Sequence, residues 1–256
     1  GKGLDVLRKN GIEVVEGVLQ LQAEELNTGF FSRMTKNLPY IRSKIASSID
    51  GRTSLANGDS KWITSEAARN DVHQWRARSC AILTGVGTIN QDNPLLNVRN
   101  LAENDQPFRV IADTNLSIDL KSQILKQKNI MLAYSNDPNS KAKHLESKGV
   151  RLVNIASKDN KVDLLLLMKR LATFEFNEVL VESGPTLNGQ LLELGLIDVI
   201  GDDEALQVAE VVILGIPVDA AVAALPKILD SVNEEAVVLD VGSTKTLICR
   251  SVQDHP

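Results

Sequence analysis

Pro39-Tyr40-Ile41-Arg42-Ser43-Lys44-Ile45-Ala46 restarts the chain in an extended state, because proline fixes φ and disfavours helix in the residue before it. A polar loop follows, Ser48-Ile49-Asp50-Gly51-Arg52-Thr53, and then Gly58-Asp59-Ser60-Lys61-Trp62-Ile63-Thr64. Next come an arginine-bearing helix and a glycine turn that ends in Asp92-Asn93-Pro94-Leu95-Leu96-Asn97-Val98-Arg99. Nowhere else do arginines, hydroxyls, glycines and an indole crowd so densely, so the chemistry is expected here.

Working outward, strands are predicted at Ile41–Ala46, Ala81–Leu83, Phe108–Ala112, Ile130–Tyr134, Val150–Ile155 and Val179–Val181. Helices are predicted between them at about Glu66–Ser79, Ser140–Lys148, Val162–Thr173 and Thr186–Leu194. Short apolar strands alternating with helices predict an α/β layer structure on a largely parallel sheet. Upstream, Leu4, Val6 and Leu7 followed by Ile12-Glu13-Val14 predict a short helix leading through Gly11 into a strand. Leu19 to Met34 predicts a helix with Leu21, Leu26, Phe30 and Phe31 on one face, and Thr35 to Leu38 a polar hinge. From Glu210 the chain turns rich in Ala and Val. Val211–Asp219, a helix near Ala220–Leu229 and Ala236–Ser243 make one more strand–helix–strand unit.

The 256 residues can bury a full core in one or two domains. A net charge of -5 gives no general reason to expect nucleic acid or an anionic membrane as partner, so a phosphate site must be a local arginine cluster. Cys80 and Cys249 lie in or beside apolar segments and are expected to be buried, reduced thiols. No apolar run approaches the roughly 20 residues of a membrane span, and a cytoplasmic location is expected. Gly1-Lys2-Gly3 has neither an initiator Met nor a signal-peptide pattern, which leads us to expect the interior of a longer chain.

Arg76 on a helix and Arg99 at the end of a turn can hold a phosphate with bidentate hydrogen bonds; alternatively both are solvated surface arginines. Ser60 and Trp62 would face one side of an extended segment, for a sugar or phosphate and a flat ring, although Trp62 alone reads as a core anchor. Gly85-Val86-Gly87-Thr88 follows a strand where a dinucleotide loop would sit, but Asn90 stands where the third glycine belongs. Glu182-Ser183-Gly184-Pro185-Thr186-Leu187-Asn188-Gly189 ends a strand and opens a helix whose free N–H groups attract an anion; an ordinary capped helix is the alternative. His73, His144 and His255 are scattered, and no metal site, nucleophilic triad or phosphate-binding lysine loop finds support. What remains is a site that orients anions and flat rings, which suits hydride transfer by a bound cofactor.

Several of these motifs, in the same order, closely resemble the reductase-domain family of bacterial RibD, the bifunctional riboflavin-biosynthesis deaminase–reductase. They are Lys44–Thr53, Gly58–Thr64, Gly85–Thr88 through Pro94, and Val181–Leu187, and the resemblance covers residues 39–198. It implies a dihydrofolate-reductase-like three-layer α/β/α domain and the NADPH-dependent reduction of 5-amino-6-(5-phosphoribosylamino)uracil to its ribitylamino product. Carried over by position, substrate contacts fall on Ser60, Arg76, Leu96, Arg99 and Glu182. Cofactor contacts fall on Ala46, Trp62, Thr88, Asp92, Thr114 and the run Gly184, Pro185, Thr186, Leu187, Asn188, Gly189 and Gln190. Lys44 and Asp92 match polar positions beside the reacting centre. The family's reductases usually dimerise, so a homodimer is expected.

Residues 1–38 resemble the end of that family's deaminase domain without its zinc motifs. Residues 199–256 depart from the reductase pattern and resemble a Rossmann-like strand–helix–strand fragment of prephenate dehydrogenase, with Ser243 at that family's serine position and His255 too early for its histidine. The chain is therefore expected to be a chimera of two unrelated genes joined near Leu194–Asp198, with a natural fusion as the less favoured alternative, and Val211–Ile216 is able to stand in for the missing reductase strand. A non-catalytic remnant that binds nucleotide weakly is the alternative, and a prephenate oxidoreductase ranks below it.

Overall fold

The computed structural model describes residues 2–46, 65–99, 102, 105–155, 161–198, 211–214, 218–232, 235–240, 249–250 and 252. Six strands form one parallel sheet: β1 Tyr40–Ser43, β2 Ala81–Gly85, β3 Phe108–Ala112, β4 Ile130–Tyr134, β5 Arg151–Asn154 and β6 Glu178–Val181. Their spatial order is β1-β6-β2-β3-β4-β5. The last strand is thus inserted between the first two. The predicted α/β class and all six strands are present; β1 stops at Ser43, short of the expected Ala46.

Strands buried on both faces need helices on both, and the sequence supplies them. On one face, helix α7 (Leu164–Thr173) is started by Asp163, whose carboxylate accepts from the Leu166 N–H at 2.8 Å. Leu164, Leu167, Met168 and Leu171 then fall on one helical stripe and are buried against Ala81, Leu83, Val110, Met131, Val179 and Val181. Each such side chain contributes about 1.5–3 kcal/mol of apolar burial. Helix α8 (Pro185–Glu193) joins that layer through Leu187 and Leu191. The other face packs Ile82, Ile111 and Leu132 against Ile89 of α5 (Val86–Asp92) and Leu145 of α6 (Ala142–Ser147). Helix α4 (Glu66–Arg78) lies on that same side over β6, where Arg78 pairs with Glu178.

The flanks depart from expectation. Lys2–Lys9 is helical (α1), but Ile12-Glu13-Val14 forms no strand. Leu19–Met34 is two helices, α2 (Gln20–Leu26) and α3 (Thr28–Lys36), broken at Asn27. Leu21 and Leu26 are exposed and Phe30 and Phe31 partly so, because this short segment meets little that could cover them. The first half of the expected hinge, Thr35 and Lys36, is helix, since α3 runs through Lys36. It is fastened to the sheet: Arg33 Nε donates to Asn177 Oδ1 at 2.6 Å, and Lys36 pairs with Asp198 at 2.9 Å. Gly29 permits the approach, because a Cβ there would stand 2.8 Å from the Asn177 carbonyl oxygen.

Downstream, β7 (Val211–Leu214), α9 (Val218–Ser231) and β8 (Val237–Asp240) form the predicted strand–helix–strand unit. β7 pairs in parallel with β8 in a sheet of its own and does not replace a strand of the larger one. Leu225 is buried there among Val222, Ile228, Leu229 and Val238. Both cysteines are free as expected, but Cys80 is half-buried and Cys249 exposed, so neither is the buried thiol predicted. Among the described residues no helix is long and apolar enough to cross a membrane.

Candidate active site

In an open parallel sheet, ligands bind outside the carboxyl ends of the strands, where the strand order reverses. Here that place lies at β1, β6 and β2. Register aligns Ser43 with Val181 and Val181 with Leu83, so the residues that follow leave the sheet side by side. The ladder runs one step further, as the Lys44 N–H donates to Val181 O and the Glu182 N–H to Leu83 O, both at 2.9 Å.

Glu182 therefore points up from the middle of the switch with its side chain only 9% exposed. An ionised carboxylate this buried needs opposite charge and hydrogen bonds. Arg76 supplies both from the last turn of α4: its Nε donates to Oε1 at 2.6 Å and one terminal nitrogen to Oε2 at 3.0 Å. The other terminal nitrogen donates to the Asn97 carbonyl at 2.9 Å. Lys44 Nζ stands 3.8 Å from Glu182 Oε2, the second cation on this carboxylate. The arginine proposed for substrate phosphate and the glutamate proposed for substrate are thus each other's partners.

The turn after α5 completes the rim. Asn93 and Leu96 take positive φ of 45° and 48°, and Leu96 is buried beneath the turn. The Gln106 side chain clasps Val98, accepting from its N–H at 2.7 Å and donating to its carbonyl at 2.9 Å. The Arg99 N–H donates to His73 Nδ1 at 3.4 Å, while the Arg99 side chain is exposed. His73 is held below its ordinary 6.5, first by burial and then by the Arg76 and Arg99 guanidiniums. The folded protein thus prefers neutral His73, and its stability falls as pH drops below about 6.5, where the unfolded chain takes up the proton more readily.

Gly184 is the N-cap of α8 and Pro185 its first residue, with no side-chain cap. Pro185 has no N–H to satisfy, which leaves those of Thr186 and Leu187 at the helix start. Leu187 packs inward beside Gly85. Asn188 is buried and ties the helix down, accepting from Ser43 Oγ at 2.8 Å and donating to Ser183 O at 2.9 Å. Gly184, Pro185, Thr186 and Gln190 are exposed and Gly189 half-buried.

Lys44, Arg76, Leu96, Arg99 and Glu182 are thus gathered on one rim, with the α8 N-terminus on the same sheet edge. Asp92, at the end of α5, is exposed and makes no ion pair with them. Gly85-Val86-Gly87-Thr88 is the β2–α5 junction, which puts the half-buried Thr88 in the first turn of α5. Thr114 follows β3 and accepts on its carbonyl from Ser135 and Asn136, while Ala46 is half-buried beyond β1. Ser60, Trp62, Ser243 and His255 lie outside the described residues. His73, Asn97 and Gln106 were not singled out from sequence; the spacing of His73, one turn before Arg76, was the available signal. Among the described residues no group of three or more His, Cys, Asp or Glu could hold a metal ion.

The family described as RibD C-terminal domain matches residues 39–201. The chain belongs to the RibD C-terminal domain family. It is 40% identical over 214 residues to the riboflavin biosynthesis protein RibD of Buchnera aphidicola, covering 77% of this chain and 56% of that one. A structure of Acinetobacter baumannii RibD superposes with a TM-score of 0.68 at 38% identity, covering 77% of this chain and 55% of the other. A Thermotoga maritima structure, titled a diaminohydroxyphosphoribosylaminopyrimidine deaminase/5-amino-6-(5-phosphoribosylamino)uracil reductase, gives 0.65 at 30% identity, covering 76% and 53%. The chain spans about half the length of the curated RibD relatives it matches. The sheet of β1–β6 has the dihydrofolate-reductase-like α/β fold of RibD reductase domains. A second family, described as prephenate dehydrogenase, nucleotide-binding domain, matches residues 176–256 and so overlaps the end of the RibD match.

Proposed function

We propose that residues 39–198 form a reductase domain that uses NADPH to reduce the ribosyl carbon of 5-amino-6-(5-phosphoribosylamino)uracil. One observation carries this reading: a buried Glu182, bracketed by Arg76 and Lys44, sits on the same sheet edge as the uncapped start of α8. The helix start suits a cofactor phosphate, since its free N–H groups and dipole favour an anion. Thr186 and its neighbours would hold that phosphate, with Ala46, Trp62, Thr88, Asp92 and Thr114 along the rest of the cofactor. When bound, the nicotinamide supplies a hydride to the sugar carbon.

Everything else falls to the chain. Among the described residues Arg76 gives three of its five N–H groups to Glu182 and Asn97, and the other two, with Arg99, would take the substrate phosphate. Holding that end fixes the sugar against the nicotinamide. The reduction also breaks the bond from that carbon to the ring oxygen and consumes one proton; Lys44 Nζ beside Glu182 is the group that would deliver this proton to the freed oxygen. Residues 1–38 would be the end of a deaminase domain and 199–256 a dehydrogenase-derived fragment; a cytoplasmic homodimer belongs to the same proposal.

The separate β7–β8 sheet favours a second reading, a remnant whose tail no longer completes a working domain. Mixing protein, NADPH and the phosphoribosylaminouracil separates the two. The reductase reading expects loss of reduced-nicotinamide absorbance with formation of the ribitylamino product. Absence of both at saturating substrate would leave the remnant.

A further inference from the structure

Two helix side chains one turn apart reach up to the same turn. Arg76 donates to the Asn97 carbonyl at 2.9 Å, and His73 Nδ1 accepts the Arg99 N–H at 3.4 Å. From the other side the turn rests on buried Leu96 and on the Gln106 clasp of Val98. Leu96 holds a positive φ, which an L-residue adopts only when its surroundings fix it. The Arg99 side chain is exposed and has no carboxylate partner among the described residues. Among the described residues no ion pair or side-chain hydrogen bond directs it, so its direction follows from its own backbone, whose N–H is the group that His73 holds.

We propose that His73 is a positioning residue for the substrate phosphate: its neutral ring anchors the Arg99 backbone to α4, so that Arg99 and Arg76 address one anion. This rests on the reductase reading above. The charged groups around His73 are Arg76 on its own helix, Arg99 on the turn and Glu182 from the end of β6; the Asn97 carbonyl also faces it. A protonated Nδ1 cannot accept the Arg99 N–H, and it sets a third positive charge beside two arginines of which only Arg76 is paired with Glu182. Burial and both guanidiniums oppose that proton, while Glu182 and the Asn97 carbonyl favour it; the first group prevails. The anchor is therefore intact at neutral pH and released by acid.

The test compares wild type, His73→Ala and His73→Gln by steady-state kinetics from about pH 7.5 to about pH 5.5, across the ordinary histidine range. Losing one net hydrogen bond predicts that His73→Ala raises KM for the phosphorylated substrate about 5-fold, with kcat held within about twofold. Gln offers an acceptor that does not titrate, so KM returns to within about twofold of wild type. On acidification, wild-type KM should rise more than that of His73→Gln, by up to about 5-fold as His73, held below its ordinary 6.5, takes up its proton, while His73→Gln follows only the ionisation of the substrate phosphate, near about pH 6. NADPH affinity from nicotinamide fluorescence should match in all three, a readout that a folding defect would shift. Unchanged KM in His73→Ala, or one pH profile shared by wild type and His73→Gln, overturns the proposal. Calorimetry with D-ribose 5-phosphate separates this from the reductase reading. If its affinity loses His73 dependence and acid sensitivity, the anchor is wrong even in an active enzyme. If both persist without NADPH turnover, the anchor stands and the reductase reading falls.

Discussion

The sheet of β1–β6 and the β7–α9–β8 unit are written in the same sequence grammar, apolar β-branched strands around an amphipathic helix, yet they end in different circumstances. In the first, β2 and β4 are buried along most of their length because α7 and α8 cover one face and α4, α5 and α6 the other. In the second, Leu225 anchors a small cluster and Val237 on β8 is 51% exposed. Local pattern specifies a strand; burial specifies what the strand belongs to. The family matches fall the same way, with residues 39–201 matched to one family and 176–256 to another.

That contrast can be broken by mutation. Leu167 on α7 is fully buried in the larger core, so Leu167→Ala should cost about 2–5 kcal/mol and lower the main thermal transition. Leu225→Ala should leave that transition in place, because its contacts lie within the tail. Equal shifts in calorimetry would show that both regions unfold as one unit. Next in size is Glu182→Ala, which strands the Arg76 guanidinium on a rim where only 15% of its side chain is exposed. A loss of about 3 kcal/mol by chemical denaturation is expected, and adding Arg76→Ala should recover part of it. If the double variant is as unstable as the two single losses summed, the pair is not coupled as described.

The smallest effect is expected inside β2. Thr84 is fully buried beside Glu182, and its hydroxyl has no hydrogen-bond partner among the described residues. Thr84→Val keeps the shape and removes an unsatisfied group, so stability should be unchanged or higher by about 1 kcal/mol. A clear loss in the same denaturation assay would mean that the hydroxyl has a partner in the working protein.

How much of this was legible follows from what each signal depends on. The strands at Phe108–Ala112 and Ile130–Tyr134 were read to the residue, because uninterrupted apolar runs bounded by polar turns are local facts. α7 was legible from the spacing of Leu164, Leu167, Met168 and Leu171. The destination of Val211–Leu214 was not, since an apolar strand suits any sheet and pairing is decided by what reaches it. At the site, the residue types around Arg76 and Glu182 were visible, but their mutual ion pair was not. They lie 106 positions apart, and only the insertion of β6 beside β2 brings them together. His73 does not stand out in the sequence, because three scattered histidines look alike until one is seen under Arg99.

We propose that the rim built by Arg76, Glu182 and Lys44 binds a phosphorylated substrate beside a separate nicotinamide cofactor site. NADPH titration by nicotinamide fluorescence, run on wild type and Arg76→Ala together with turnover of the phosphoribosylaminouracil, tests it most directly. Saturable binding with nearly equal NADPH affinity in both proteins is expected, with turnover lost only in Arg76→Ala. No NADPH binding at millimolar cofactor, or equal loss of cofactor affinity and turnover in Arg76→Ala, would contradict it.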